Sequence, residues 1–209
     1  MDGVITHTMP YHYLAWQKVF KGSGIKVDRF EIYSREGQKG LDSVLEIFAK
    51  HGRPISPADA RKLLIRKECL FKKIAHKRFV PGARAFIQKC HRSGCRLALV
   101  TGTSRHEVYK ILPSRLIRCF DIIVSGDDVK HGKPHPEPFR KALKALKIPR
   151  QKAVVIENAP FGISSAKQAG LTCLALKTSL PSSYLKGADR IFDNYRSLER
   201  FLHDRLPEV

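Results

Sequence analysis

Past Pro81-Gly82 the chain alternates short, continuously apolar runs with amphipathic stretches, and this rhythm narrows the possible folds more than any other feature. The runs are Arg96–Val100, Asp121–Val124, Ala153–Ile156, Thr172–Leu176 and, more weakly, Arg190–Phe192. Between them the pattern reads as helices over 83–92, 136–147 and 160–169, with another after the polar turn that follows Val100 and a last one over 195–205. A strand that is apolar on both faces must be covered on both, which is the condition of a parallel sheet between two helical layers. The expected fold class is therefore α/β, a doubly wound, Rossmann-like parallel sheet.

The first part of the chain has a different texture. Residues 1–11, MDGVITHTMPY, carry an apolar fragment and a turn, and residues 10–79 read almost wholly helical. Leu14, Ala15, Val19 and Phe20 form one apolar stripe; Leu41, Val44, Leu45, Ile47 and Phe48 form another at helical spacing. A third helix opens at Ser56-Pro57-Ala58-Asp59, a cap residue followed by proline at the first helical position, and runs on through Leu63, Leu64, Leu70, Phe71 and Ile74. The expected organisation is an α/β core of residues 1–11 plus 80–209, with 12–79 inserted as a small helical-bundle cap. There is no internal repeat and no low-complexity segment.

Composition excludes several classes. A chain of 209 residues buries roughly 70% of its unfolded surface and needs no disulfide staples. Its 43% hydrophobic and 9% aromatic content is that of a globular protein, neither a disordered tail nor a fibre. No apolar run approaches the ~18 residues of a membrane span, and residues 1–20 lack a basic start followed by an apolar block. Five cysteines without a C-x-x-C pair suggest reduced thiols and a cytoplasmic location rather than zinc. The net charge of +20 favours acidic partners, whether phosphorylated small molecules, nucleic acid or anionic surfaces. A merely solvated basic surface is the bland alternative, and nothing demands more than a monomer.

Parallel α/β sheets bind ligands outside the carboxyl ends of their strands. The residues there are Asp2-Gly3, Thr101-Gly102-Thr103, the loop 126–133 and Glu157-Asn158. Thr101 and Gly102 set a hydroxyl and a small-residue N–H at a helix start, which suits phosphate and equally serves plain capping. Lys133, in Gly132-Lys133-Pro134-His135-Pro136, is either a cation held rigid by prolines or an incidental lysine at a helix start. Glu157 and Asn158 offer an oxygen pair that fits Mg²⁺, a cation of hard oxygen ligands that keeps several waters; otherwise Asn158 caps the next helix beside a solvated Glu157. Asp2 by itself says nothing.

Taken in order, Asp-Gly, Thr-Gly, Gly-Lys-Pro and Glu-Asn resemble the motifs of the haloacid dehalogenase superfamily. The resemblance is to the β-phosphoglucomutase-like phosphatases, which carry a helical cap between the first and second motifs. The matching strings are DGVITHTMPYHYLAW, ALVTGTS, GDDVKHGKPHPEPF and VVIENAPFGISSAKQAG, and the similarity runs essentially from end to end. It implies a Mg²⁺-dependent phosphatase that works through a phosphoryl-aspartate on a small phosphorylated metabolite, a sugar phosphate foremost. By that resemblance Asp2 is the general acid and base, with its backbone carbonyl on Mg²⁺. Thr101, Gly102 and Thr103 bind the phosphoryl group, and Lys133 neutralises charge on it. Glu157 and Asn158 hold Mg²⁺ or its waters, and His12 lies near the leaving group. Arg35, Lys39 and Lys73 are cap cations that meet the rest of the substrate.

The sequence departs from the family pattern in three places. The family's nucleophile is an aspartate two residues before the acid/base aspartate, at the end of the first strand, and that position precedes Met1. Covalent phosphoryl transfer is not expected without it. That strand would lie mid-sheet between 96–100 and 153–156, and its loss would leave backbone groups unpaired. A start assigned too late, or a fragment, is the preferred reading over a protein that lacks its nucleophile. Second, Asn158 stands where a second acid is usual; its amide oxygen brings no charge, so metal affinity should fall. Third, His7 stands where aspartate is common, and is read as a packed turn residue.

Two alternatives remain. A sugar phosphomutase would need a second phosphate site on the cap, for which Arg35 or Lys73 are the candidates. A catalytically inactive family member would bind nucleic acid through Arg61–Arg78, RKLLIRKECLFKKIAHKR, where eight Lys/Arg face the single acid Glu68. On a helix Lys62, Arg66, Lys73 and Lys77 share one face, a phosphate track, while Leu63, Leu70, Phe71 and Ile74 turn inward. A charged solvent-facing helix is favoured over that partner, because no aromatic readout motif accompanies it.

Overall fold

In the computed structural model, which describes residues 1–76 and 78–203, the apolar stripes of the first part become separate helices. These are α1 (Met9–Gly22), α2 (Arg29–Tyr33), α3 (Gly40–Lys50) and α4 (Pro57–Ile74). Asp28 accepts the Glu31 N–H at 2.7 Å to start α2, and Ser56 accepts the Asp59 N–H at 3.1 Å to start α4 behind Pro57. Trp16, Phe20 and Phe48 stack through ring centroids 5.2 and 5.9 Å apart and form the middle of this block. The helices of this largely helical region are joined by connecting segments, one of which, 34–39, reaches the strand-end cleft. On α4 the inward face differs from expectation. Ile74 is 36% exposed, while Lys67, only 8% exposed, lies on the stripe with Ala60, Leu63, Leu64 and Phe71.

The second part follows the expected rhythm: α5 (Ala83–Arg92), β1 (Ala98–Val100), α6 (Arg105–Ile111), α7 (Ser114–Ile117), β2 (Ile122–Val124), α8 (Glu137–Leu146), β3 (Val154–Glu157), α9 (Pro160–Gln168), β4 (Thr172–Leu176), β5 (Arg190–Phe192) and α10 (Tyr195–His203). The five strands pair in parallel: β1 with β2, Leu99 opposite Ile123, and β3 with β4 with β5, Ile156 opposite Leu174 and Ala175 opposite Ile191. β1 is shorter than its apolar run because the Leu97 N–H and the Arg96 guanidinium both bond to the Asp121 carboxylate, at 2.7 Å each. Positions 204 and 205 of the expected last helix lie outside the described residues, as does Lys77.

The sheet thus comprises two ladders, and among the described residues β1 and β3 are not hydrogen-bonded to each other. Residues 1–6 form a tight turn at their C-terminal side. The Ile5 N–H bonds to the Met1 carbonyl and the Gly3 N–H to the Thr6 carbonyl, both at 2.7 Å, with Gly3 at φ +65°. Val4 packs against two apolar clusters, one that includes Leu99 and Ile123 and one that includes Leu174 and Leu198. His7 is exposed and engages Arg78 only through its backbone N–H, at 2.8 Å, so the packed turn histidine expected there is not found.

Candidate active site

Chain reversal at the strand ends gathers Asp2, Thr101, Gly102, Thr103, Lys133, Glu157 and Asn158 around one cleft, which the helical block roofs with His12, Arg35, Glu36, Lys39 and Lys67. Asp2 lies at its centre. Oδ1 accepts hydrogen bonds from the Thr6 hydroxyl (3.3 Å) and the Thr8 hydroxyl, and Oδ2 accepts one from Thr103 Oγ1 (3.3 Å). Burial alone would push the Asp2 carboxyl up; the His12 imidazole and the Thr8 hydroxyl outweigh it and hold the group well below the usual carboxylate range.

His12 links Asp2 to the block. Its Nε2 is 3.4 Å from Asp2 Oδ1, and its Nδ1 accepts a 2.8 Å hydrogen bond from Lys67 Nζ. An ammonium can only donate, so Nδ1 is unprotonated and the ring proton faces Asp2 from Nε2. Burial, then the charge of Lys67, lower the His12 pKa and keep the ring neutral. Phe71 stacks on that ring at 4.0 Å, and Lys67 Nζ lies 5.0 Å from the centre of the Trp16 ring. Buried in this apolar setting, Lys67 has its pKa pulled down to about 8.

Lys133 is 3% exposed and reaches back under the sheet mouth, donating to Glu157 Oε1 at 2.5 Å and to the Val100 carbonyl at 3.2 Å. The side chain is buried and tied at both contacts, unlike a solvated surface lysine. Thr101, 5% exposed, accepts the Thr103 N–H on its hydroxyl at 3.2 Å. A Cβ on Gly102 would lie 2.5 Å from the carbonyl oxygens of both Gly37 and Gln38, so the 34–39 segment of the block rests directly on this loop. Glycine at 102 is what permits that approach.

Asn158, 1% exposed, donates its amide to Glu36 Oε2 at 2.7 Å and to Ser179 Oγ at 3.0 Å; it is a cross-link, not simply a helix cap. Burial first, then the Asp2 carboxylate, push the Glu36 carboxyl well above its ordinary range. Glu36 Oε1 is buried with no hydrogen-bond partner. Of the cap cations, Arg35 and Lys39 line the cleft but are already tied. Arg35 donates to the Glu31 carbonyl at 2.8 Å, and Lys39 to the Val129 carbonyl at 3.0 Å. Lys73 is not brought to the cleft. α4 turns it to solvent with Lys62 and Arg66, and Lys67 takes the inward position six residues earlier.

Sequence reasoning missed Lys67 and Glu36. Lys67 did leave a signal, a cation interrupting the apolar stripe of α4 four residues before Phe71. Glu36 left none, because only the docking of the block brings it to Asn158.

Mg²⁺ asks for a few hard oxygens and space for water. Asp2, Glu36, Glu157 and Asn158 supply carboxylate and amide oxygens on one cleft, and the orphaned Glu36 Oε1 is a buried acceptor of the kind a cation satisfies. Among the described residues no group of three or more His, Cys, Asp or Glu could hold a metal ion by itself, so a cation here would depend on the Asn158 amide, backbone oxygen and water as well. The donor set fits an open site that water and substrate complete.

Comparison with known proteins agrees with the fold. The family model of haloacid dehalogenase-like hydrolases matches residues 1–170. The chain is 29% identical to the phosphorylated carbohydrates phosphatase of Thermotoga maritima, over 82% of this chain and 79% of that protein. It is 28% identical to β-phosphoglucomutase of Bacillus subtilis, over 91% and 85%. The solved structure of CbbY from Rhodobacter sphaeroides with xylulose-1,5-bisphosphate superposes with a TM-score of 0.77 at 28% identity, covering 95% of this chain and 93% of that one. With its α/β sheet and its ordered motifs, the chain belongs to the haloacid dehalogenase-like hydrolases.

Proposed function

We propose that the protein is a Mg²⁺-dependent phosphatase of a small phosphorylated metabolite, with sugar phosphates the leading class. The observation that carries this reading is the convergence of buried Lys133, the Thr101–Thr103 loop and Asp2 on one cleft. The cleft, about 260 Å³ in volume, is at the small end for ligand sites. We assign residues 12–79 the role of a cap, since its 34–39 segment seats on the Gly102 loop and its Lys39 bonds to the core.

Each residue has a physical task. Lys133 and the Thr101–Gly102 loop bind the phosphoryl oxygens, with a buried cation acting in low dielectric where its charge counts most. Asp2 is held ionised by His12, Thr6 and Thr8, the state in which it takes a proton from attacking water. A bound phosphoryl dianion adds like charge and raises the Asp2 pKa, which suits the complementary donation to the leaving oxygen. Lys67 keeps His12 neutral with its proton towards Asp2. The Asp2 backbone carbonyl, Glu157 and Asn158 would hold Mg²⁺ or its waters, and its contribution would be to neutralise charge on the phosphoryl oxygens. The family's nucleophilic aspartate corresponds to the position directly ahead of Met1, outside this sequence; binding, charge neutralisation and proton handling are what these residues contribute.

The test is release of orthophosphate from a panel of small sugar phosphates, with Mg²⁺ and with EDTA, by a chain carrying an apolar strand ending in aspartate ahead of Met1. Release that needs Mg²⁺ and that aspartate supports the reading. Isomerisation of glucose 1-phosphate when glucose 1,6-bisphosphate is added would favour the mutase, and no turnover of either kind would contradict both.

A further inference from the structure

We propose that Glu36, carried by the helical block, supplies the carboxylate that Asn158 lacks, so that a divalent cation beside Asp2 is held fully only while the block is docked. This rests on the Mg²⁺ reading of the cleft and adds to it a residue from the other half of the molecule.

The charge balance points this way. Glu157 is already compensated by Lys133 at 2.5 Å. Asn158 is neutral. The carboxyl groups left to face a divalent cation are therefore Asp2 and Glu36, and a cation there would draw Glu36 into its ionised form. Glu36 is 6% exposed, reaches across to the Asn158 amide at 2.7 Å through Oε2, and leaves Oε1 buried and unpartnered. A Cβ on Gly3 would lie 2.5 Å from that Oε1. Glycine beside Asp2 thus opens the space through which a carboxylate from the block approaches the Asp2 backbone. A buried acceptor without a partner is costly, and a cation relieves the cost while drawing the two halves together. The same segment is fixed to the core by Lys39 on the Val129 carbonyl, so Glu36 cannot take this position with the block displaced.

The measurement is Mg²⁺ titration of the full chain by calorimetry and by the Mg²⁺-induced rise in Tm, with hydrogen exchange over 34–39 as a second readout. None of these depends on turnover. Glu36→Gln keeps the size and the acceptor for Asn158 and removes only the charge; it is expected to weaken Mg²⁺ binding by about tenfold or more, in the range seen when groups supporting a metal are lost. Adding Asn158→Asp returns a carboxylate from the core side. The double variant should recover the affinity, yet Mg²⁺ should no longer slow exchange over 34–39 as it does in the wild type. If Glu36→Gln binds Mg²⁺ as the wild type does, or if its loss is not recovered by Asn158→Asp, the inference is overturned while the Mg²⁺ site stands. If the wild type shows no response to Mg²⁺ at all, the metal reading itself falls and the inference with it.

Discussion

At the scale of single residues, the site works by burying charges in pairs. Lys133 and Glu157 are 3% and 6% exposed, and a buried pair is strongly destabilised when only one member is removed, by about 3–5 kcal/mol. Lys133→Ala should therefore lower stability in urea by roughly that amount, and the double variant Lys133→Met, Glu157→Gln should recover most of it. Lys67 makes the opposite prediction. Its folded pKa of about 8 lies below the ordinary 10.5, so the unfolded chain binds the extra proton between those values and stability rises with pH across that window. Lys67→Met should be more stable than the wild type at pH 7, with the gap closing as pH goes from about 8 to 10.5, and it should still impair turnover. Equal pH dependence of the two proteins in unfolding experiments would count against this account of Lys67. The residues at strand ends, Asp2, Thr101, Lys133 and Glu157, were legible in the sequence because chain position alone puts them at the mouth of the sheet. Glu36 was not, since its partner is 122 positions away and no local pattern announces the contact.

At the scale of elements, the strands and most helices after Gly82 were readable because continuous apolar runs leave few other solutions. β4 spans Thr172–Leu176, as its run suggests, and α5 spans Ala83–Arg92. In the 34–39 segment Arg35 and Lys39 were expected towards the substrate, but the seating of its backbone on the Gly102 loop and the placing of Glu36 were not readable. It seats against glycines, and Gly102→Ala tests this directly. The added methyl, 2.5 Å from two carbonyl oxygens, should undock the segment, giving a large loss of kcat with little change in Tm. A variant with wild-type turnover would show that the block need not sit on this loop. α4 depends on its first turn. Ser56→Ala removes the side-chain cap of the Asp59 N–H and should cost about 1 kcal/mol, measurable as a shift in the urea midpoint.

At the scale of the whole molecule, the +20 charge divides into two populations. Lys133 and Lys67 are buried in the cleft, whereas Lys62, Arg66 and Lys73 are exposed along α4, with Lys62 paired to Asp59 at 2.9 Å. No helix among the described residues is long and apolar enough to cross a membrane. A basic exterior steers dianionic substrates, a rate effect that fades with ionic strength. The sign of the charge was plain from composition; which cations bind and which merely attract required the packing of α4 on α1. Phosphoryl groups are expected to be bound by the buried Lys133 at the strand ends and not by the surface charge. Titration of orthophosphate in the presence of Mg²⁺, followed by calorimetry, tests it most directly. The claim predicts that Lys133→Met weakens binding by about tenfold or more, the loss of one charge-assisted contact being worth at least 1.4 kcal/mol, while Lys73→Met leaves it unchanged. Binding that survives Lys133→Met and falls with Lys73→Met would contradict it.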